Sequence, residues 1–174
     1  MEKFIHIDTQ ITDLINNLFP HNQLFDYFFS FFSLRGNSIF IWLALIILAL
    51  LLEERKNPGI QKKDILFVFT FLFSFLLTAL LVNIVLKNVI QRPRPAISRG
   101  PNITAPVKFS LAQCPKDYSF PSGHASTAFA SAVVISTFDK KRKWIYYLVA
   151  VLISLSRIYL GCHYFLDVVA GGII

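Results

Sequence analysis

The chain has 174 residues, of which 55% are hydrophobic and only 16% charged, and it contains 18 phenylalanines. Soluble domains carry about 25% charged residues, so this composition excludes an ordinary water-soluble globule and points to a single integral membrane domain over residues 1–174. The formal net charge of +7 does not indicate nucleic acid, because the basic residues lie between apolar runs and no nucleic-acid-binding module is visible.

Residues 4–19 place Phe4, Ile7, Ile11, Leu14, Ile15 and Leu18 at helical spacing, with Asp8, Gln10, Thr12, Asp13 and Asn17 opposite them. This pattern predicts an amphipathic N-terminal helix within residues 1–20, lying on the membrane surface or packed against a bundle. The same stretch lacks the compact apolar core and cleavage site of a secretory signal peptide, so none is expected. Residues 24–34 form a short apolar run that reads as a short span or a re-entrant helix, and 38–52 form a convincing span.

A polar turn at 53–64 is followed by a long span over 65–86 that ends at Lys87. The run "RPRP" at 92–95 then stops the helix, since proline lacks the amide donor and restricts the residue before it. Residues 96–120 form a long irregular loop, and a loop of that length inside a compact domain is usually functional. Another span runs from Ser122 to about Phe138, "DKKRK" at 139–143 turns the chain, and 144–160 return across the membrane. Residues 164–174 give only about 16 Å of helix against a hydrocarbon core of about 30 Å. The last helix is therefore expected to stop half-way, or the chain to end earlier than its relatives do.

Counting crossings puts loops 53–64 and 139–143 on one side, with 87–121 and 157–163 together on the other. The dense Lys and Arg clusters of the first pair favour the cytoplasmic face for them, and so an extracytoplasmic face for the second pair.

Three polar clusters meet on that second face: "KNVIQRPRP" at 87–95, "FPSGHAS" at 120–126 and "SRIYLGCHYFLD" at 156–167. Ionisable groups at membrane depth are costly, so their concentration implies a site. Lys87, Arg94 and Arg157 supply three positive charges, and Ser122 and Gly123 open a helix whose amides and dipole suit an anion. Arginine's planar fork fits phosphate oxygens in particular. His163 and Asp167 are four residues apart at a helix start and share one face, so the carboxylate can accept from one ring nitrogen and fix the tautomer. A histidine held in that way can attack phosphorus, and His124, at another helix start, can protonate the departing oxygen.

The pattern of Lys87, six residues, Arg94-Pro95, then Pro121-Ser122-Gly123-His124, then Ser156-Arg157, five residues, His163, three residues, Asp167 resembles the three-part signature of the type 2 phosphatidic acid phosphatase family. The fold of that family is related to that of vanadium haloperoxidases. The resemblance covers residues 87–167, about half of the chain. It implies an all-α membrane bundle of about six helices and metal-independent hydrolysis of a lipid phosphate ester or pyrophosphate through a phosphohistidine, with no cofactor. It assigns the nucleophile to His163, its orienting carboxylate to Asp167 and the general acid to His124. Phosphate contacts fall to Lys87, Arg94, Ser122, Gly123 and Arg157. Arg92 duplicates the arginine-proline step out of register, and the short last helix and weak first span depart from the family, leaving five clear spans.

The implied partners are the bilayer and a phospholipid or glycolipid phosphate, with no obligate protein partner evident. Lipid A 1-phosphate leads, ahead of undecaprenyl pyrophosphate and phosphatidylglycerol phosphate. The implied location is the bacterial inner membrane, multi-pass, with the site on the periplasmic or extracytoplasmic side.

Other readings remain open from the residues alone. His163 and Asp167 fit a buried ion pair, or with His124 a zinc site that the nearby cations oppose. Lys87 fits a snorkelling helix-end lysine and Ser122 a plain N-cap. Ser156 reads as packing, and His6 and His21 as surface residues. Cys114 and Cys162 are expected to be free and to take no part in catalysis, although an extracytoplasmic face would permit a disulfide. Lys108 and Lys116 are candidate head-group contacts in the long loop. A lipid phosphotransferase and a non-hydrolytic anionic-lipid carrier are the rival functions.

Overall fold

A computed structural model describes residues 2–34, 37–95 and 114–174. The described residues form seven helices and no strands: α1 Glu2–Asn17, α2 Gln23–Ser33, α3 Asn37–Glu54, α4 Lys62–Ile90, α5 Gly123–Phe138, α6 Lys143–Tyr159 and α7 Phe165–Ile173. Helices α3 and α4, of 18 and 29 residues, are long and apolar enough to cross a membrane. Their outer faces expose Phe40, Ile47, Leu66, Phe69, Leu72 and Leu76, the distribution expected where lipid rather than water is the solvent.

The centre of the bundle is α5 packed on α6. Helix α5 has no single polar face and presents Ala125, Ala128 and Ala132, each at most 1% exposed, so its neighbours approach closely. Trp42, Phe67, Phe71, Ile135, Tyr146 and Ile153 fill the core around it. The basic turn between α5 and α6 is closed by Asp139, whose Oδ2 accepts from Tyr146 Oη at 2.6 Å and from Arg142 Nε. Burial pushes the Asp139 carboxyl up, but these two donors outweigh it and hold the group below its ordinary value.

The short apolar run at the start of the chain becomes α2, whose 11 residues give about 16 Å of helix, far short of a crossing. It docks on α6 through polar contacts as well as rings. Tyr159 Oη donates to Asp26 Oδ1 at 2.6 Å, Ser33 and Ser156 share a 2.7 Å hydroxyl contact, and Phe29 stacks on Tyr159. Ser156 therefore serves the α2–α6 contact.

Two glycines bring the site together. Gly161, at φ +69°, turns the chain out of α6, and the amides of Cys162 and His163 donate back to the Arg157 carbonyl at 3.0 and 3.2 Å. In α7, Gly171 lies against the first turn of α5, where an added Cβ would stand 2.5 Å from the Ser122 carbonyl oxygen. That contact sets the far end of α7 against the α5 start, while Ser122 N–H donates to the Asp167 carbonyl at 2.9 Å. Gly171→Ala is expected to force α7 away from the α5 start, costing about 1–3 kcal/mol. Thermal unfolding of the purified variant in detergent should show a lower midpoint, and an unchanged midpoint would refute this account of the packing.

Candidate active site

Helix α4 reaches the site through a change in its winding. Residues Leu81–Leu86 form a π-helical segment, and Lys87 N–H donates to the carbonyl of Val82, five residues back. The wider turn keeps Phe75, Ala79, Asn83 and Lys87, successive fourth residues, along one wall of a cavity of about 280 Å³. Ser38, Arg94, Asp117, Gly123, His124, Thr127 and His163 also line it. Five of the eight residues expected at the site thus line a single cavity. Ser122 and Arg157 are buried outside that lining, and Asp167 lies one turn along α7 from His163.

Arg94 is 1% exposed and is bonded through all three of its guanidinium nitrogens. Its Nη1 donates to the Cys162 carbonyl at 2.8 Å and approaches His163 Nε2 at 3.0 Å, while Nε donates to the Asp117 carbonyl at 2.9 Å and Nη2 to that of Tyr118 at 3.1 Å. A guanidinium has no acceptor, so Nε2 of His163 must accept here, which assigns the ring proton to Nδ1. Nδ1 lies 3.5 Å from Asp167 Oδ2, longer than a well-formed hydrogen bond. Burial first, then the guanidiniums of Arg157 and Arg94 and the Lys87 ammonium, hold His163 well below the ordinary histidine value, so the ring is neutral at pH 7.

Asp167 is occupied elsewhere. Its Oδ2 accepts from Tyr164 N–H at 2.9 Å and its Oδ1 from Arg92 Nη1 at 2.7 Å. Arg92 stacks over the Tyr164 ring at 4.0 Å and donates with Nη2 to Asp8 Oδ2 at 2.6 Å. Asp8 Oδ1 in turn accepts from Leu166 N–H, and Thr12 Oγ1 from Phe165 N–H, both at 2.9 Å. The first amides of α7, which no helical carbonyl can reach, are thus capped by α1.

Helix α1 is accordingly turned with two polar residues and Ile15 inward, while Gln10 and Asn17 face out. Asp8 and Thr12 are buried, whereas Ile5, Ile7 and Leu14 are exposed. Arg92, set aside by motif register, is the link between α1 and Asp167. Asn83, Thr127 and Asp117 were also missed, although Asn83 had a visible signal as the single polar side chain in the turn before Lys87.

Arg157 is 1% exposed, and its Nε and Nη2 have no hydrogen-bond partner among the described residues. Buried donors without acceptors are costly, and they fit an anion such as phosphate. Ser122 caps α5 through its Oγ, 3.5 Å from Ala125 N–H, and the next two residues, Gly123 and His124, line the cavity.

Cys114 and Cys162 correct one expectation. They form a disulfide with a Cα–Cα distance of 5.3 Å, inside the range for bridging, and neither is free. The pairing depends on the return of the long loop beside the α6–α7 turn, which the spacing of two cysteines cannot reveal. Lys108 lies outside the described residues; Lys116 is exposed and does not line the cavity. His6 and His21 are exposed, His21 stacking on Tyr159.

A bundle of apolar helices gathering two histidines, three buried cations and the start of a helix marks a membrane protein with a strongly cationic cavity. Residues 67–174 match the PAP2 superfamily, and the chain belongs to it. It is 31% identical to the undecaprenyl-diphosphatase of Sulfolobus acidocaldarius over 98% of this chain and 74% of that protein. It is 30% identical to the lipid A 4'-phosphatase of Bacteroides thetaiotaomicron over 97% of this chain and 72% of that one. The crystal structure of Aquifex aeolicus LpxE superposes with a TM-score of 0.67 at 31% identity, covering 95% of this chain and 87% of that chain.

The Arg92 bridge gives a test of the site's framework. Arg92→Gln leaves two buried carboxylates, Asp8 and Asp167, without their cation, and removing one partner of such a pair costs about 3–5 kcal/mol. The variant is expected to melt at a clearly lower temperature than the wild type. A midpoint within a degree or two would show that the bridge does not hold α1, α4 and α7 together.

Proposed function

We propose that the protein is a membrane lipid phosphatase that hydrolyses a phosphate monoester or pyrophosphate through a phosphohistidine, without a metal or other cofactor. The observation that carries this reading is the meeting of Lys87, Arg94, His124 and His163 around one cavity. Lys87, Arg94 and Arg157, with the amides at Ser122 and Gly123, hold the phosphoryl oxygens and offset the charge that builds on them during transfer. His163 Nε2 carries the lone pair that accepts from Arg94 at rest; as Arg94 turns its donors to the phosphate, that pair forms the P–N bond while the P–O bond to the lipid breaks. His124 gives its proton to that departing oxygen. Water then attacks phosphorus, His124 takes a proton from it, the P–N bond breaks, and His163 is restored with release of inorganic phosphate. Asp167 acts on His163 as an adjacent negative charge and fixes the helix start that carries it.

The substrate is a lipid whose tails stay in the bilayer while its phosphate enters the cavity. A lipid A phosphate leads, and undecaprenyl pyrophosphate follows; the phosphatases this chain resembles support both. Phosphatidylglycerol phosphate offers the same group and comes third. The site faces the extracytoplasmic side of a multi-pass inner-membrane protein. Two features support that side: the Cys114–Cys162 disulfide beside the site, which suits an oxidising compartment, and the Lys and Arg clusters in the turns at 53–64 and 139–143.

Phosphate release from these three lipids, measured in detergent with EDTA present, tests the reading. The expected result is chelator-resistant release from at least one lipid, abolished in His163→Ala and slowed about 10²–10⁴-fold in His124→Ala. Unimpaired release by His163→Ala would remove the phosphohistidine, and transfer to a second lipid without free phosphate would make the protein a phosphotransferase. The pH profile gives an independent check. His163 must be neutral to attack, and its folded value is held below the ordinary value of about 6.5. The acid limb of kcat/KM should therefore fall below pH 6.5, and a limb above it would contradict this assignment.

A further inference from the structure

Two of the three cations at the site already hold a carboxylate. Asp117 Oδ2 accepts from Lys87 Nζ and Asp117 Oδ1 from Arg94 Nη2. The side chains of Lys87 and Arg94 are only 6% and 1% exposed, but that of Asp117 is 44% exposed. The cations are therefore fixed inside, while their partner stands at the mouth with room to turn outward.

The backbone that carries Asp117 has no such freedom. Three residues earlier, Cys114 is covalently joined to Cys162, next to His163. Arg94 holds the carbonyls of Asp117 and Tyr118, and Ser119 N–H donates to the Arg92 carbonyl at 2.8 Å. Only the carboxylate can leave, and it remains tethered at high effective concentration beside the donors it has left.

A carboxylate placing one oxygen on an ammonium and the other on a guanidinium uses the donors that two phosphoryl oxygens would use. Both anions cannot have them, and side by side they repel. We propose that Asp117 is a built-in competitor for the phosphate site, raising the dissociation constant of every anion there and returning to Lys87 and Arg94 when inorganic phosphate departs. The inference rests on the phosphatase reading above.

The same penalty falls on lipid phosphate and free phosphate, but its consequences differ. A lipid retains affinity through its tails, whereas the released product has only the contested donors. Asp117 thereby keeps untethered phosphate off the site and favours product release.

The test compares wild type with Asp117→Asn and Asp117→Ser, using two readouts. The first is the inhibition constant of inorganic phosphate and of orthovanadate during lipid hydrolysis. The second is direct calorimetric titration of inorganic phosphate into each resting protein. Both variants are expected to bind inorganic phosphate at least tenfold more tightly than wild type, with a lower inhibition constant to match.

Equal or weaker binding by the variants would overturn the proposal, because a carboxylate that merely orders Lys87 and Arg94 would weaken anion binding when removed. If one variant fails to fold, the other decides. If no protein hydrolyses lipid phosphate, the phosphatase reading falls separately, and the titration still decides the role of Asp117 by the direction of its change.

Discussion

The structure depends on keeping three cationic side chains out of water within about one cavity's reach of each other. Lys87, Arg94 and Arg157 are 5%, 1% and 1% exposed. Unpaired, each would lose several kcal/mol of hydration, and mutual repulsion would add to that. Much of the irregular backbone near the site answers this problem. The segment after Cys114 and the turn between α6 and α7 present the carbonyls of Asp117, Tyr118 and Cys162 to Arg94, and Asp117 adds its carboxylate. Burial pushes that carboxyl up, but the bonds from Lys87 and Arg94 outweigh it and keep Asp117 below its ordinary value, hence ionised. Non-helical chain at membrane depth is tolerated where it is enclosed by protein and its polar groups are satisfied.

A second charge system holds the start of α7 in place. Asp8, Arg92 and Asp167 form a carboxylate–guanidinium–carboxylate chain joining three segments far apart in sequence. Because Asp167 is shared between the first turn of α7 and Arg92, it reaches His163 across 3.5 Å rather than through a direct hydrogen bond. The histidine is steered at the other ring nitrogen instead, by Arg94. One arginine therefore both lines the cavity and fixes the imidazole tautomer.

The membrane class, the long helices and the residues of the three motifs were readable from hydropathy and spacing, because both report local periodicity. Long-range pairing was not. The polar side of residues 4–19 looks like a water-facing stripe, yet Asp8 and Thr12 turn inward to cap a helix more than 150 residues away. Burial of such a face is decided by unsatisfied amides elsewhere in the chain, which no window of sequence contains. Arg92 was discounted by register for a related reason, since its role comes from two carboxylates on other helices. The cysteines were misjudged because bridging depends on where a long loop returns. Asp117 was invisible in a different way: an acidic residue in a loop has no periodicity to betray it.

The π-helical segment in α4 separates two demands on one continuous rod. The outer stretch must show lipid a smooth apolar face through residues such as Leu66, Phe69, Leu72 and Leu76, while the far end must aim Asn83 and Lys87 inward. A regular helix ties these together, since each residue turns the rest by about 100°. The widened turn decouples them and acts as a phase adjuster between the lipid-facing and cavity-facing halves. Its length is therefore under different pressure from its composition. Many apolar substitutions between 81 and 86 leave the phase untouched, whereas loss of a single residue there would swing Lys87 toward the hydrocarbon and leave Asp117 facing Arg94 alone.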